Sequence, residues 1–203
     1  MLLSGVNITN TDGPAINIQS SNKVTVTLVD GTTNSLADGT TYAAAPVNSE
    51  NTTEDQKAAF FSEGQLLFSG TGALTIKGTG MDKHALGSDD YIEVDNGTIT
   101  VSSALNDGIH GKDGVTILGG LVNVTASCDG LDGDEGIILI SGGTTTTTCA
   151  AANANGLCCD STIEISGGSV NVTMSGLQSK AIKNKQAMHW IATEVFPFRA
   201  ARS

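Results

Sequence analysis

Aromatic side chains are nearly missing from this sequence: they make up 4% of 203 residues, with a single Trp. A conventional globular core uses more Phe, Trp and Leu than that, so any core must be assembled from small aliphatic side chains. Proline is equally scarce, at 3 residues. Arginine occurs only at Arg199 and Arg202. No run of 18 or more apolar residues exists, which excludes a membrane-spanning helix by length. Basic charge is in deficit: the formal net charge is −11 and the isoelectric point about 4.4. Such a surface repels nucleic acid and anionic lipid and attracts cations, so neither nucleic-acid binding nor membrane insertion is expected. The cysteines Cys128, Cys149, Cys158 and Cys159 match neither paired CxxC nor Cys/His zinc spacing, which argues against a zinc site. They read either as small buried residues in a β stack or as a disulfide between neighbouring coils, such as Cys128 with Cys158. Adjacent Cys158 and Cys159 would point to opposite faces of a strand and are poor partners for each other. Met1, Leu2 and Leu3 are too short for a signal peptide's apolar region, and a strand pattern starts almost at once. A truncated N-terminus, or a start inside a longer reading frame whose parent protein could carry other domains, is therefore expected.

What the chain has in quantity is glycine (25 residues), threonine and β-branched aliphatics. Thr, Val and Ile favour strands, and Gly-Gly, Asn-Gly and Asp-Gly favour turns. These residues are periodic. Segments 91–101, 115–124, 137–146 and 163–172 align as strand, glycine turn, strand, with an earlier copy at 67–76. Their turn glycines Gly72, Gly97, Gly120, Gly143 and Gly168 recur at intervals of 25, 23, 23 and 25 residues. A second element recurs at 59–62, 85–88, 108–111, 130–133, 156–159 and 181–184: small, apolar, variable, then small or polar. Each repeat thus holds three short strands and three turns. At about 3.3 Å per residue, such a repeat wraps one triangular coil. A stack of hairpins is the competing architecture, but it would not by itself demand the same residue type at the same phase in every copy. A solenoid does. The pattern predicts an all-β, right-handed, single-stranded parallel β-helix over residues 1–185, with about 23 to 26 residues per coil.

Residues 32–57 break the period. They are polar, include Tyr42, Pro46, Glu50, Glu54 and Asp55, and read as one long loop insertion, either part of a binding face or a tolerated surface loop. Residues 186–203 carry no repeat and read as a cap over the open end of the solenoid or as a non-native tail.

Twelve of the 21 acidic residues lie between Asp82 and Asp160. Aligned by coil, they form columns. Asp107, Asp129 and Asn155 share the first; Asp89, Lys112, Asp134 and Asp160 the second; Asp90, Asp113 and Glu135 the third. Rungs of a parallel sheet are about 4.8 Å apart, and carboxylates stacked at that distance repel. Calcium, which takes six to eight oxygen ligands, would relieve this. The candidate metal ligands are Asp89, Asp90, Asp107, Asp113, Asp129, Asp132, Asp134, Glu135 and Asp160. A bare, solvated acidic edge is the alternative. The spacing is not that of an EF-hand loop, and the period is too long for nonapeptide β-roll repeats. Lys112 reads as a salt-bridge partner of these acids or as a catalytic base, and Tyr91 and Tyr42 are the only tyrosines available to stack on a ligand.

Gly108-Ile109-His110-Gly111-Lys112-Asp113, the strand 115–124, Val26 to Gly31 before the polar loop, and Ala58-Ala59-Phe60-Phe61 together resemble a bacterial family of carbohydrate-binding domain-containing proteins. The resemblance covers residues 5–185. It implies a secreted or surface-attached parallel β-helix that binds calcium, is shaped like a calcium-dependent pectate lyase, and binds cellulose or polygalacturonate. Its implied metal ligands are the acidic turn residues. The Cys158-Cys159 turn, His110 and the tail depart from the family pattern. The expected function is non-catalytic, calcium-dependent binding of an acidic plant or cell-wall polysaccharide outside the cell or at its surface. Lys112 and Tyr91 are expected at the ligand, with Tyr42. A calcium-dependent polysaccharide lyase and a calcium-rigidified surface adhesin are the competing readings.

Overall fold

The structure is a computed structural model and describes residues 1–47, 51–184 and 199–201. Among these, every regular element is a strand, and the strands form three parallel sheets. The first sheet runs through Leu2–Leu3, Val24–Leu28, Leu66–Gly70, Tyr91–Val94, Gly114–Ile117, Ile137–Ile140 and Ile163–Ile165. The second runs through Asn7–Thr9, Thr33–Ala37, Ala73–Lys77, Thr98–Ser103, Leu121–Ala126, Thr144–Cys149, Ser169–Met174 and Arg199–Ala201. The third runs through Ile16–Ile18, Ala58–Ser62, His84–Ser88, Ile109–Gly111, Leu131–Asp132, Asn155–Cys159 and Lys180–Asn184. The chain visits the sheets in that order once per coil. The architecture is the parallel β-helix the repeat predicts, with about seven coils.

Register explains why like residues recur. Ile92 pairs with Val115, Val115 with Ile138, and Ile138 with Ile163. In the second sheet Leu74, Ile99, Val122 and Thr145 form one rung series and Ile76, Val101, Val124 and Thr147 another. In the third, Phe60, Leu86, Ile109, Leu131 and Leu157 stack. Nearly all of these side chains are fully buried and form one continuous core. Aliphatic ladders thus do the work that a few large aromatics do elsewhere. At the corner between the first and second sheets, Gly97, Gly120, Gly143 and Gly168 have φ of 95°, 76°, 70° and 76°. A Cβ at Gly120 would also lie 2.4 Å from the Gly97 carbonyl, so dihedral and stacking both require glycine there.

The bounds of the insertion change. The insertion starts later than residue 32: Thr33–Ala37 is a regular strand paired with Ala73–Lys77. The alternation is masked because buried Asn34 stands at an inward position. Its Oδ1 accepts from the Val6 N–H at 2.9 Å and its Nδ2 donates to the Ala73 carbonyl at 3.0 Å. The described irregular residues of the insertion are therefore 38–47 and 51–57, and Asp55 lies against the first coil of the third sheet, where it exchanges hydrogen bonds with Gln19 at 2.7 and 3.0 Å. All four cysteines are free, so the inter-coil disulfide is not formed; Cys149, Cys158 and Cys159 are buried and Cys128 half-buried. The tail expected over 186–203 lies outside the described residues except for Arg199–Ala201, which pairs with Ser169–Met174.

Thr145 and Thr147 occupy aliphatic rungs, and their hydroxyls are buried without a partner. Burying an unpaired hydroxyl costs about 1–3 kcal/mol. Thr145→Val and Thr147→Val should each raise the unfolding free energy by about that amount in urea titrations, and Val122→Thr should lower it comparably. A loss of stability in Thr147→Val would contradict an unpartnered hydroxyl.

Candidate functional site

The outward side chains of the third sheet form a polar ladder. Each coil reaches this sheet through a bend at a small residue, Gly108, Gly130 or Gly156 in successive coils, then places one apolar residue inward. A Cβ at Gly108 would lie 2.1 Å from Val124 Cγ1, so the bend tolerates no side chain. The residue before the glycine and the residue after the apolar one are left facing out. Register puts His84, Asp107, Asp129 and Asn155 in one column, and Gly87, His110, Asp132 and Cys158 in the next.

These columns interlock. The His84 and His110 rings stack with centroids 4.2 Å apart and planes 6° from parallel. Asp107 Oδ2 lies 3.1 Å from His84 Nδ1, and its Oδ1 accepts from the Asp129 N–H at 2.8 Å. His110 Nδ1 lies 2.8 Å from Asp132 Oδ2. Asp129 Oδ1 accepts from the Asn155 N–H at 2.6 Å, and Asn155 Nδ2 also donates to both Asp129 oxygens. Burial would push the Asp132 carboxyl up, but the hydrogen bond and charge of His110 outweigh it and hold Asp132 below the usual range. Burial would likewise push His110 down, but Asp132, with help from Asp107 and Asp134, holds it above its ordinary value. An ionised Asp132 can only accept, so His110 Nδ1 carries the proton. Asp129 is raised, chiefly by burial and further by Asp107 and Asp132, against the lowering by its Asn155 hydrogen bonds. Cys158 is pushed up to about 12 by burial and by Asp129 and Asp132, so it stands as a thiol.

Of the expected metal ligands, Asp107, Asp129 and Asp132 are on this ladder. The others lie on the turn from the third to the first sheet. There the second column holds in two pairs: the Asp160 N–H donates to the Asp134 carbonyl at 2.6 Å, and the Lys112 N–H, level with Asp89, donates to the Ser88 carbonyl at 3.0 Å. The third column holds for Asp90 and Asp113, whose backbones bond at 3.2 Å. It breaks at Glu135, because the 133–136 turn is one residue longer than its neighbour. Gly136 sits over Asp113, and the Glu135 N–H donates to the Lys112 carbonyl. Lys112 is exposed and makes no ion pair among the described residues. Asp89, its neighbour in the column, is taken by Lys57 of the inserted segment, whose Nζ is 2.6 Å from Asp89 and 2.8 Å from Asp55. Asp90 Oδ1 accepts from the N–H of Tyr91. Tyr42 is tied into the insertion, its hydroxyl donating to Asp38 Oδ2 at 2.8 Å.

Tyr91 is placed differently. On the outer face of the first sheet, Tyr91, Gly114 and Ile137 are consecutive rungs. The missing side chain at Gly114 leaves a notch, bordered by Tyr91, Ile137, Glu93, Thr116 and Asp113.

The donor sets bear on calcium. Among the described residues, two groups of three ligating side chains converge within 4.8 Å: His84, Asp107 and His110, and Asp129, Asp132 and Cys158. Each includes a nitrogen or sulfur atom, which calcium does not favour. The all-oxygen acids of the turn, Asp89, Asp90, Asp113, Asp134, Glu135 and Asp160, do not converge in threes. They fit calcium only as part of a shell that a ligand's oxygens would complete. His84, His110 and Cys158 were absent from the expected ligands. The signal that could have found them is the position of His84 and His110 in the repeat, one before and one after the inward apolar residue.

In metal-free buffer, the His110–Asp132 pair makes a signed prediction. A raised His110 contributes stability that is complete below its ordinary value of 6.5 and is lost as pH rises through the raised value. A lowered Asp132 contributes stability that is present above its ordinary 3.8 and is lost as pH falls through the lowered value. The coupling from a double-mutant cycle of His110→Gln and Asp132→Asn should therefore be largest between about pH 4 and 6.5 and should shrink on either side. A coupling that grows from pH 6 to 9 would contradict the pairing.

Comparison with known proteins bears on what this architecture serves. A solved structure described as the polysaccharide lyase-like protein from C. thermocellum, gadolinium derivative, superposes with a TM-score of 0.80 at 27% identity, covering 94% of this chain and 74% of that one. No match is found among curated proteins. The family described as carbohydrate-binding domain-containing protein matches residues 1–194. With the stacked coils and the notched outer face, this match makes the chain a member of the carbohydrate-binding domain-containing family.

Proposed function

We propose that the chain is a non-catalytic module, acting outside the cell, that binds an acidic polysaccharide across the outer face of the first sheet. The carrying observation is the notch at Gly114. A flat parallel sheet has few places to seat a sugar ring. Here one rung without a side chain lies between Tyr91 and Ile137, apolar surfaces that suit a ring face, with Glu93, Thr116 and Asp113 at its edge to bond hydroxyls. A solenoid repeats its surface along one axis, as a polysaccharide does along its chain.

Charge sets the substrate class. A protein of net charge −11 repels a polyuronate unless cations stand between the two. The turn acids beside the notch, Asp90 and Asp113 with Glu135 a coil away, offer too few converging oxygens to cage calcium alone. The carboxylates of a polygalacturonate chain would complete the shell. Calcium would supply the bridging charge, and this chain's residues would position it. Neutral glycans such as cellulose need no such bridge and would rely on Tyr91 alone.

In pull-downs, polygalacturonate should retain the protein with calcium and release it with chelator; retention in chelator would contradict bridging. Tyr91→Ala should weaken retention by about tenfold, about 1–2 kcal/mol for the loss of a central aromatic contact. Tyr42→Ala should leave it unchanged.

The lyase-like description of the C. thermocellum protein favours a second reading, β-elimination with Lys112 as base. Lys112 is exposed and adjoins Asp113 at the notch. No arginine occurs before residue 199 to hold a substrate carboxylate. Incubation with polygalacturonate and calcium should give no unsaturated-uronate absorbance. Absorbance that disappears in Lys112→Ala would replace binding with catalysis.

A further inference from the structure

The outer ladder of the third sheet serves neither the notch nor the turn acids. We propose that His84, Asp107 and His110 form a binding site for a divalent first-row transition ion of the zinc, cobalt and nickel class. Cysteine spacing argues against a zinc site because it is local in sequence; these donors come instead from two successive coils and meet only through register.

Four observations converge. The three side chains offer ligand atoms within 4.8 Å of one another, a spread that small side-chain shifts close onto one ion. Imidazole nitrogen favours transition ions over calcium. The carboxylate is pre-positioned: Asp107 is nine-tenths buried, with Oδ1 held by the Asp129 N–H and Oδ2 turned to His84. The rings are held as well, by parallel stacking at 4.2 Å, with side-chain exposures of only 14% and 18%.

The surroundings of His110 match those of a metal-bound imidazole. A ligating histidine ordinarily gives its other ring N–H to a carboxylate, which fixes the tautomer and raises its basicity. Asp132 does this at 2.8 Å, leaving the remaining nitrogen of His110 with a free lone pair. Asp132 acts through His110 and is a positioning residue. Asp129 and Asp132 also make the field negative one coil on, and Asn106 Nδ2 lies 3.4 Å from His84 Nδ1. Lys57 is bound to Asp55 and Asp89 instead. Three protein donors leave coordination positions for water or an oxygen of a bound ligand. The alternative role for the same residues is a pair of His–Asp ion pairs without an ion.

The full chain, without polysaccharide, is titrated with cobalt(II) and followed by visible absorption and calorimetry, so the outcome does not depend on the glycan reading. We expect saturable binding of one cobalt per chain, displaced by zinc but not by a thousandfold excess of calcium. His84→Gln, His110→Gln and Asp132→Asn should each weaken it by about 10–100-fold, and Tyr42→Ala, in the inserted segment, should not. Circular dichroism checks that the variants fold. In the unsubstituted protein, zinc should shift the imidazole resonances of His84 and His110. Absence of saturable binding, displacement by equimolar calcium, or zinc leaving the resonances of His84 or His110 unshifted would each overturn the site.

Discussion

Parallel backbone pairing between coils is the constraint on which the rest depends. Each strand hydrogen-bonds to the strand one coil before and one coil after, about 4.8 Å away. Every residue therefore stacks on its counterpart in the repeat. Inward, this turns short apolar runs into ladders such as Ile92, Val115, Ile138 and Ile163, and a core forms without many aromatics. The same pairing makes polar errors visible. Thr145 and Thr147 continue aliphatic ladders and bring buried hydroxyls with them. Asn34 does the same at the other end, but with its bonds made.

Outward, stacking forces like charges together, and the ladder of the third sheet answers this by mixing residue types. Along one column an imidazole precedes two carboxylates and an amide follows them; along the next an imidazole, a carboxylate and a thiol succeed one another. His84 meets Asp107, His110 meets Asp132, and Asn155 closes on Asp129. Among the acids that line the turn to the first sheet, only Lys112 interrupts the run of carboxylates. They are more exposed, and Asp89 is neutralised from outside by Lys57 of the inserted segment. One solenoid thus carries two chemically different edges: mixed nitrogen, oxygen and sulfur donors on one, oxygen alone on the other.

The family membership ties this scaffold to carbohydrate, and the proposed polysaccharide would lie on the first sheet. Its rungs at the notch read Tyr91, Gly114, Ile137. A glycine between two larger side chains makes a seat in an otherwise level face, and the turn acids flank that seat.

The sequence by itself determined the period, the three strands per coil, the glycine corners and the first acidic column, because each depends on residues a fixed number of positions apart in a regular stack. It also determined the family likeness. Tertiary structure alone decided three things. The extra residue of the 133–136 turn moved Glu135 off Asp113, a slip that no local pattern shows. Buried Asn34 hid a strand inside the supposed loop, because a polar side chain satisfied by distant backbone groups looks like a break in the alternation. And His84, Asp107 and His110 meet although residues three apart on a strand, such as Asp107 and His110, should face opposite ways. The bend at Gly108 brings both to the outer face, and pairing between coils sets them beside His84.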